Sequence, residues 1–470
     1  MYRLNVSHLN YRSLAIRWQL WCLKRTTVGV ICVFLLHFAG PNGAGAQPID
    51  YNDGPIMASV STVKVFLIFW QPSGAPSFHV GPDANGDQKF KDTIQRFFQD
   101  IGGSDYFTLA RQYTQPCNKF TPCSPGPLSF GGSFDDVAPY PRSPLQNQDI
   151  ENSITRARDA NSWDVGLNAL YFVLLPAEVQ VCQPSGACTG STFCAYHGHS
   201  DDGNVIYAVM PAIAAMNVDT RGGCHFSYST AAGINSFVQQ IYIAPPQTPN
   251  QLEADEEIVV ASHELFEALT DPLTGPPSGA WFTGYNEIGD ECNRMVGGIV
   301  SEDGGNVLLN GHSYLVQEVW SNAHNFCALG PSVSITIATG DDNLRGDELV
   351  LGQLVNNGSE ADVILRGPNG VLLEEVVLKA EHDPEWANGS INRRVFSFPS
   401  DSAKLWEVDI RLVQHGGISP DNWKINGVDV EVLNAFGQQV CKENIVGNPI
   451  LKELTESDAI YAIATPTSCH

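Results

Sequence analysis

Up to about residue 330 the chain mixes unbroken apolar runs with stretches of helical period; beyond it, short runs alternate with turns. Thr62-Val-Lys-Val-Phe-Leu-Ile-Phe-Trp70 is an apolar run closed by Gln71-Pro72 and reads as a buried strand. Lys89 to Ile101 switches period: Phe90, Ile94, Phe97, Phe98 and Ile101 fall on one helical face. A second helix is predicted over Asp149 to Ala160, a central strand over Ala169 to Leu175, and another strand over Val205 to Met210. A cysteine-rich loop ending Phe193-Cys-Ala-Tyr-His197-Gly-His199 precedes that last strand. Asp83-Ala-Asn-Gly-Asp87 opens like a calcium loop, but its twelfth position is Ile94 where a bidentate Glu is needed, so it reads as a polar turn.

After Gly330-Pro331 come Ser332 to Ala338, Ala361 to Leu365, Leu405 to Val413 and Val428 to Leu433, separated by turn residues. This is the pattern of an antiparallel β-sandwich. Its loops Thr339 to Asp347 and Asp421 to Gly427 are faintly similar to those of PLAT-like sandwiches. Their acids make Ca2+ a candidate ligand of this C-terminal region, although solvated turns are the commoner outcome. The chain is therefore divided into 1–46, 47–330 and 331–470.

The longest helical stretch, about Gln251 to Leu269, has Asn250 as its expected cap, acids in its first turn, and Asp271-Pro272 as its stop. Ile258, Val259, Leu265, Ala268 and Leu269 give it a broad apolar surface. Within it lies Ser262-His263-Glu264-Leu265-Phe266-Glu267. Residues four apart stand over one another on a helix, so His263 and Glu267 share a face and Glu264 sits beside His263. Zinc peptidases use this placement, with ligands at i and i+4 and a base after the first. Here an oxygen ligand, Glu267, replaces the second imidazole. The competing reading is a solvated acidic face carrying one His. Buried polar groups need partners, however, and Asn286-Glu287-Ile-Gly-Asp290-Glu-Cys292 supplies either Glu287 or Asp290 as the next ligand. His197 and His199 are further candidates that would close such a site.

Charge and cysteine content sharpen the setting. Residues 1–46 hold Arg3, Arg12, Arg17, Lys24 and Arg25 with no acid, then the run Val28 to Phe38 and an Ala44-Gly45-Ala46 cleavage pattern. They read as a signal peptide, with an uncleaved anchor as the alternative. Subtracting those five positive charges takes the net charge from −25 to −30, which argues against nucleic acid and anionic membranes as partners. Of 12 cysteines, two leave with the leader, and the ten others fit disulfides formed after export. Cys292 and Cys327 are one expected pair, Cys441 and Cys469 another. Asn357-Gly-Ser359 and Asn388-Gly-Ser390 are glycosylation acceptors for an exported chain.

Phe66 to Trp70, Phe193-Cys-Ala-Tyr-His-Gly198, Ser262 to Ala268, Thr270-Asp-Pro272, Trp281 and Glu287-Ile-Gly-Asp-x-Cys292 together resemble the EXORDIUM-like, phosphate-induced family. These are secreted plant proteins with microbial relatives, and the similarity covers roughly residues 60–330. It implies an extracellular or cell-wall setting and a shared Ser-His-Glu-x-x-Glu core. The tail after residue 330 departs from the plant pattern.

The expectation is an α/β, zincin-like domain with a buried H-E-x-x-E helix, followed by an all-β sandwich. Its function would be a metal-dependent, peptidase-like hydrolase with Glu264 as general base. Zn2+ would be held by His263, Glu267 and one of Glu287 or Asp290, and the substrate would be an extracellular peptide or a cell-wall component. The alternative is a non-catalytic extracellular binding protein with a structural ion. A glycosidase using paired carboxylates among Glu264, Glu267, Glu287 and Asp290 needs no ion.

Overall fold

The computed structural model describes residues 48–465 apart from 58–60, 80, 119–120, 177, 191, 213–247, 285, 294, 297–303, 347, 351–352, 356–357, 371, 381–382, 398–404, 415–420 and 448–450. The leader, Asn357 and Cys469 fall outside the described residues.

A five-stranded sheet occupies the first part. Its strands are β1 (Val63–Trp70), β2 (Leu128–Asp136), β3 (Ala169–Leu175), β4 (Tyr196–His199) and β5 (Ile206–Pro211), in the order β2-β1-β3-β5-β4. All neighbours are parallel except β4, which runs antiparallel to β5 at the edge. Side chains alternate between the two faces of a strand, and both faces here are apolar. Val65, Leu67, Phe69, Leu170, Phe172 and Leu174 enter one core, whereas Phe66, Ile68, Trp70, Tyr171, Val173 and Leu175 enter another. That is why β1 and β3 read as continuous apolar runs.

Helices α1 (Gly86–Asp100) and α3 (Leu252–Thr270) cover the first face, and α2 (Asn147–Asn161) covers the second through Ile150, Ile154 and Ala157. Asp83 to Asp87 is the expected polar turn, leading into α1: Asp83 accepts the Asn85 N–H, and Asp87 accepts Gln71 and the His79 N–H. The expected cap of α3 is corrected. The Asn250 backbone N–H and amide both go to the Asp255 carboxylate at 2.8 Å, and Gln251 takes the cap position without a side-chain bond. The acids of the first turn are buried instead of solvated, with Glu253 3.1 Å from His79. Almost the whole of α3 is enclosed.

Two short hairpins, Val307–Leu309 with His312–Tyr314 and Val319–Ser321 with Phe326–Ala328, complete this part. The rest is antiparallel β. One sheet runs β9-β6-β11-β12 from β6 (Ser332–Thr339), β9 (Ile391–Ser397), β11 (Trp423–Leu433) and β12 (Gln439–Val446), with β13 (Lys452–Leu454) also on β11. The other runs β8-β7-β10-β14 from β7 (Ser359–Arg366), β8 (Leu372–Lys379), β10 (Glu407–Gln414) and β14 (Ile460–Ala464). Val333, Ile335 and Ile337 of the first meet Val363, Leu365, Val408 and Ile410 of the second in one core. The expected sandwich is therefore present.

Disulfides join Cys117 to Cys123, Cys182 to Cys188 and Cys292 to Cys327. Cys194 and Cys441 are disulfide-bonded as well. No helix among the described residues is long and apolar enough to cross a membrane.

Candidate metal centre

Helix α3 carries Ser262, His263, Glu264 and Glu267 into the interior because its other faces are apolar: Ala254, Ile258, Ala261, Leu265, Phe266 and Leu269 all belong to the first core. Burying each large apolar side chain is worth about 1.5–3 kcal/mol, enough to offset the desolvation of a few hydrogen-bonded polar groups. The helix ends at Asp271, whose N–H bonds the Glu267 carbonyl at 2.6 Å. The Asp271 carboxylate accepts the N–H groups of Ala280 and Gly275 and ties the helix end to the following turn.

His263 Nε2 lies 3.0 Å from Glu267 Oε1 and 3.8 Å from Asp290 Oδ1. The same Glu267 oxygen accepts the Asp290 N–H at 3.0 Å. A second imidazole arrives from the edge strand β4. His197 Nδ1 is 3.5 Å from Glu264 Oε2 and 3.5 Å from Glu267 Oε2, and its Nε2 is 3.7 Å from Glu287 Oε2. His197 Nε2 also lies 3.1 Å from the Asp271 carbonyl oxygen. The donor atoms of His263, Glu267 and Asp290 all fall within 4.8 Å of one another, and so do those of His197, Glu267 and Glu287.

Glu287 and Asp290 stood as alternatives for one ligand position; in the fold they join different groups, and both groups include Glu267. Of the two candidate histidines of the cysteine-rich loop, His197 is in the cluster. His199 is not: its Nδ1 pairs with the Ser200 carbonyl at 2.8 Å. In the β region, Asp341 pairs with Lys424 at 3.2 Å, and Asp421 accepts the Arg345 N–H at 3.0 Å. Among the described residues no group of three His, Cys, Asp or Glu side chains converges there.

The loop bearing Glu287 and Asp290 is held from three sides. Cys292 is bonded to Cys327, the Trp320 N–H donates to the Ile288 carbonyl at 2.8 Å, and Gln317 reaches in from the same segment. The Gln317 amide nitrogen is 2.8 Å from His263 Nδ1 and donates to the Gly289 carbonyl at 3.0 Å, while its backbone N–H donates to Ser262 Oγ at 3.1 Å. Sequence reasoning did not find Gln317. It sits in an apolar run 54 residues from His263, and no local spacing relates the two.

The charges in this pocket act on one another. Burial, the largest single influence, would push the His263 pKa down, but the carboxylates of Glu267, Glu264 and Asp290 together outweigh it and raise it to about 10. His197 is likewise raised, against its burial, chiefly by Glu287. Burial pushes Asp290 up to about 6, with Glu267 adding to the effect, and burial also raises Glu287. Glu267 is held below the usual carboxylate range, against its burial, by the imidazoles of His263 and His197. The Oε2 of Glu264, in a side chain only 5% exposed, makes no hydrogen bond.

Ligands about 2.1 Å from a tetrahedral ion stand roughly 3.4 Å apart. The separations of 3.0 and 3.8 Å from His263 Nε2 bracket that value, whereas His197 meets Glu267 through Nδ1 at 3.5 Å and Glu287 through Nε2 at 3.7 Å. Imidazole with carboxylate oxygens suits zinc and its first-row neighbours. A cleft of about 300 Å³ runs along β4, past Tyr196, Tyr207 and Thr274, and meets the cluster only at His197.

No protein-family model matches this chain, and no curated protein does. Among solved structures it is similar to the alpha-toxin of an avian strain of Clostridium perfringens, at 13% identity and TM-score 0.19 over 29% of this chain and 31% of that one. It is also similar to a calcium-dependent 11R-lipoxygenase, at 14% identity and TM-score 0.19 over 29% of this chain and 17% of that one. The chain thus spans under a third of either protein, a likeness that leaves function to the geometry of the site itself.

Proposed function

We propose that this chain is an exported, zincin-like hydrolase of peptides that works with a divalent cation, zinc by the donor set. His263, Glu267 and Asp290 would hold the cation. The reading rests on Glu264: one step along α3 from His263, it brings a buried oxygen with no hydrogen bond to 3.5 Å from His197 Nδ1, beside the cluster. A cation held there would polarise a substrate carbonyl and lower the pKa of an attacking water. Glu264 Oε2, 3.5 Å from His197 Nδ1, takes up the proton of that water and returns it to the leaving amine. Exposure supports an opening on this side, since the Asp290 side chain is 36% and that of His263 13% exposed. The antiparallel edge strand beside the helix fits a zincin-like build, and the Ser262 to Ala268 core fits the EXORDIUM-like resemblance.

The second reading, a non-catalytic extracellular protein with a structural ion, is favoured by the closed surroundings of His197, 5% exposed, and Glu287, 12% exposed. Glu264→Gln separates the two. It keeps the shape and removes the proton acceptor, so bound zinc should be unchanged while hydrolysis of a broad peptide library falls by about two to four orders of magnitude. A parent protein that binds zinc and cleaves nothing would favour the second reading.

A further inference from the structure

The two donor groups overlap in one residue, and they divide it: Glu267 turns Oε1 to His263 and Oε2 to His197. Each imidazole also has its other nitrogen engaged, Nδ1 of His263 by the Gln317 amide and Nε2 of His197 by the Asp271 carbonyl. A ring N–H given to a backbone carbonyl is the usual support behind a metal-ligating histidine, and it leaves the opposite nitrogen as an acceptor. On His197 that opposite nitrogen, Nδ1, faces two carboxylate oxygens, Glu264 Oε2 and Glu267 Oε2, both at 3.5 Å. Unless a proton on Nδ1 or a cation stands between them, three acceptors converging there repel one another.

The charge count leads the same way. Glu264, Glu267, Glu287 and Asp290 bring four carboxylates around two imidazoles, and among the described residues no Lys or Arg is paired with any of them. Buried charge of this density needs compensation. With both imidazoles neutral, as ligation requires, one divalent cation offsets half of it, and two offset all. Glu264 Oε2, buried and without a hydrogen bond, is the independent sign that something is meant to stand in this space.

We infer that Glu267 bridges two divalent cations, one held with His263 and Asp290 and the other with His197 and Glu287. This builds on the metal reading above and adds a site to it. Carboxylate-bridged pairs about 3.5–4 Å apart are a recurring hydrolytic arrangement. The two positions differ in access. Side-chain exposures of 13% for His263 and 36% for Asp290 mark the outer position as the more exposed one, whereas 5% for His197 and 12% for Glu287 mark the inner position as more enclosed, touched by the cleft along β4 only at His197. The inner cation would hold Glu267 and the edge strand β4 in place, and the outer one would meet substrate.

The test uses the full-length purified chain, stripped with chelator and then equilibrated with ZnCl2, with bound zinc counted by elemental analysis after gel filtration. Two equivalents are expected in the parent, one in His197→Ala, one in His263→Ala, and none in Glu267→Ala. Glu287→Gln, nearly isosteric, should also lose one equivalent and serves where His197→Ala does not fold, as judged by circular dichroism. Loading the parent with Mn2+ should give a spin-coupled paramagnetic resonance signal. A single equivalent in the parent, whichever variant loses it, overturns the bridged pair and leaves the one-cation hydrolase reading standing. No bound zinc in the parent overturns both.

Discussion

A β-carbon placed on Gly289 would stand 2.8 Å from Glu267 Oε1 and 2.9 Å from His263 Cγ. The loop that carries Glu287 and Asp290 therefore approaches α3 as closely as a bare backbone permits. Gly289 has φ −76° and ψ −42°, a conformation open to any residue, so the constraint is contact and not backbone freedom. Gly289→Ala is expected to push Asp290 away from His263, lowering zinc affinity at least tenfold and stability by about 1–3 kcal/mol. Titration calorimetry with ZnCl2 and a urea melt measure the two effects. Unchanged affinity would mean that the loop does not carry a ligand.

The Cys292–Cys327 bond closes a loop of 35 residues around that same turn. On the loop-entropy argument, the double change to serine should cost about 4 kcal/mol of stability. Because Cys292 follows Asp290 by two positions, zinc binding should weaken with it. Equal zinc affinity in the double variant, once its fold is verified, would assign the loop's position to Gln317 and Trp320 alone.

The pairing of His263 with Glu267 was legible because a helix repeats every 3.6 residues and both residues lie inside one long helical stretch. The strands β1 and β3 were legible for the same kind of reason: they are buried on both faces and closed by turn residues. His197 was legible only as one of two candidates; that it joins the cluster, and that His199 does not, was not legible. It reaches the cluster only because β4 turns back antiparallel to β5, a long-range pairing with no local signature. The division of labour between Glu287 and Asp290 depends on Cys327, Trp320 and Gln317, which fold in from a later segment. Asn250 failed as a cap because its side-chain oxygen, the capping acceptor, takes an N–H of Arg96, while Asp255 takes its donors. The three-residue strands between Val307 and Ala328 are too short to show a period.

Cation-free protein should lose stability as pH rises. His263 has its pKa raised from 6.5 to about 10, so its contribution is complete below 6.5 and gone above about 10. Asp290, raised from 3.8 to about 6, binds its proton more tightly when folded, so ionising it costs stability across that interval. Glu267 runs the other way, but only below 4.5. Between pH 6.5 and 10 the chelated protein should melt at progressively lower temperature, by no more than roughly 5 kcal/mol from His263. With saturating zinc the slope should flatten or reverse, because ligation needs a deprotonated imidazole. Calorimetric melts with and without chelator test this. A chelated protein that grows more stable over that range would mean His263 and Glu267 are not paired.

Residues 331–470 should fold alone. Their core is drawn from both sheets of the sandwich, with Trp423, Val430 and Ile410 buried in it, and it is separate from the core around α3. Among the described residues, the links that cross include Ala435 on the first core, Gly437 close against Ala323, His324 Nε2 2.8 Å from the Asn434 carbonyl oxygen, and the Leu329 N–H donating to Ser397 Oγ at 2.8 Å. Losing contacts of this kind at a surface costs a few kcal/mol, less than a core of this size contributes. Expressed separately, the segment should give dispersed amide NMR signals and a single cooperative melt, and zinc should leave both unchanged because the donor clusters lie outside it. A fragment that stays unfolded or aggregates would show that the sandwich depends on the contact made by the turn at Asn434 and Ala435, and that the two cores form one folding unit.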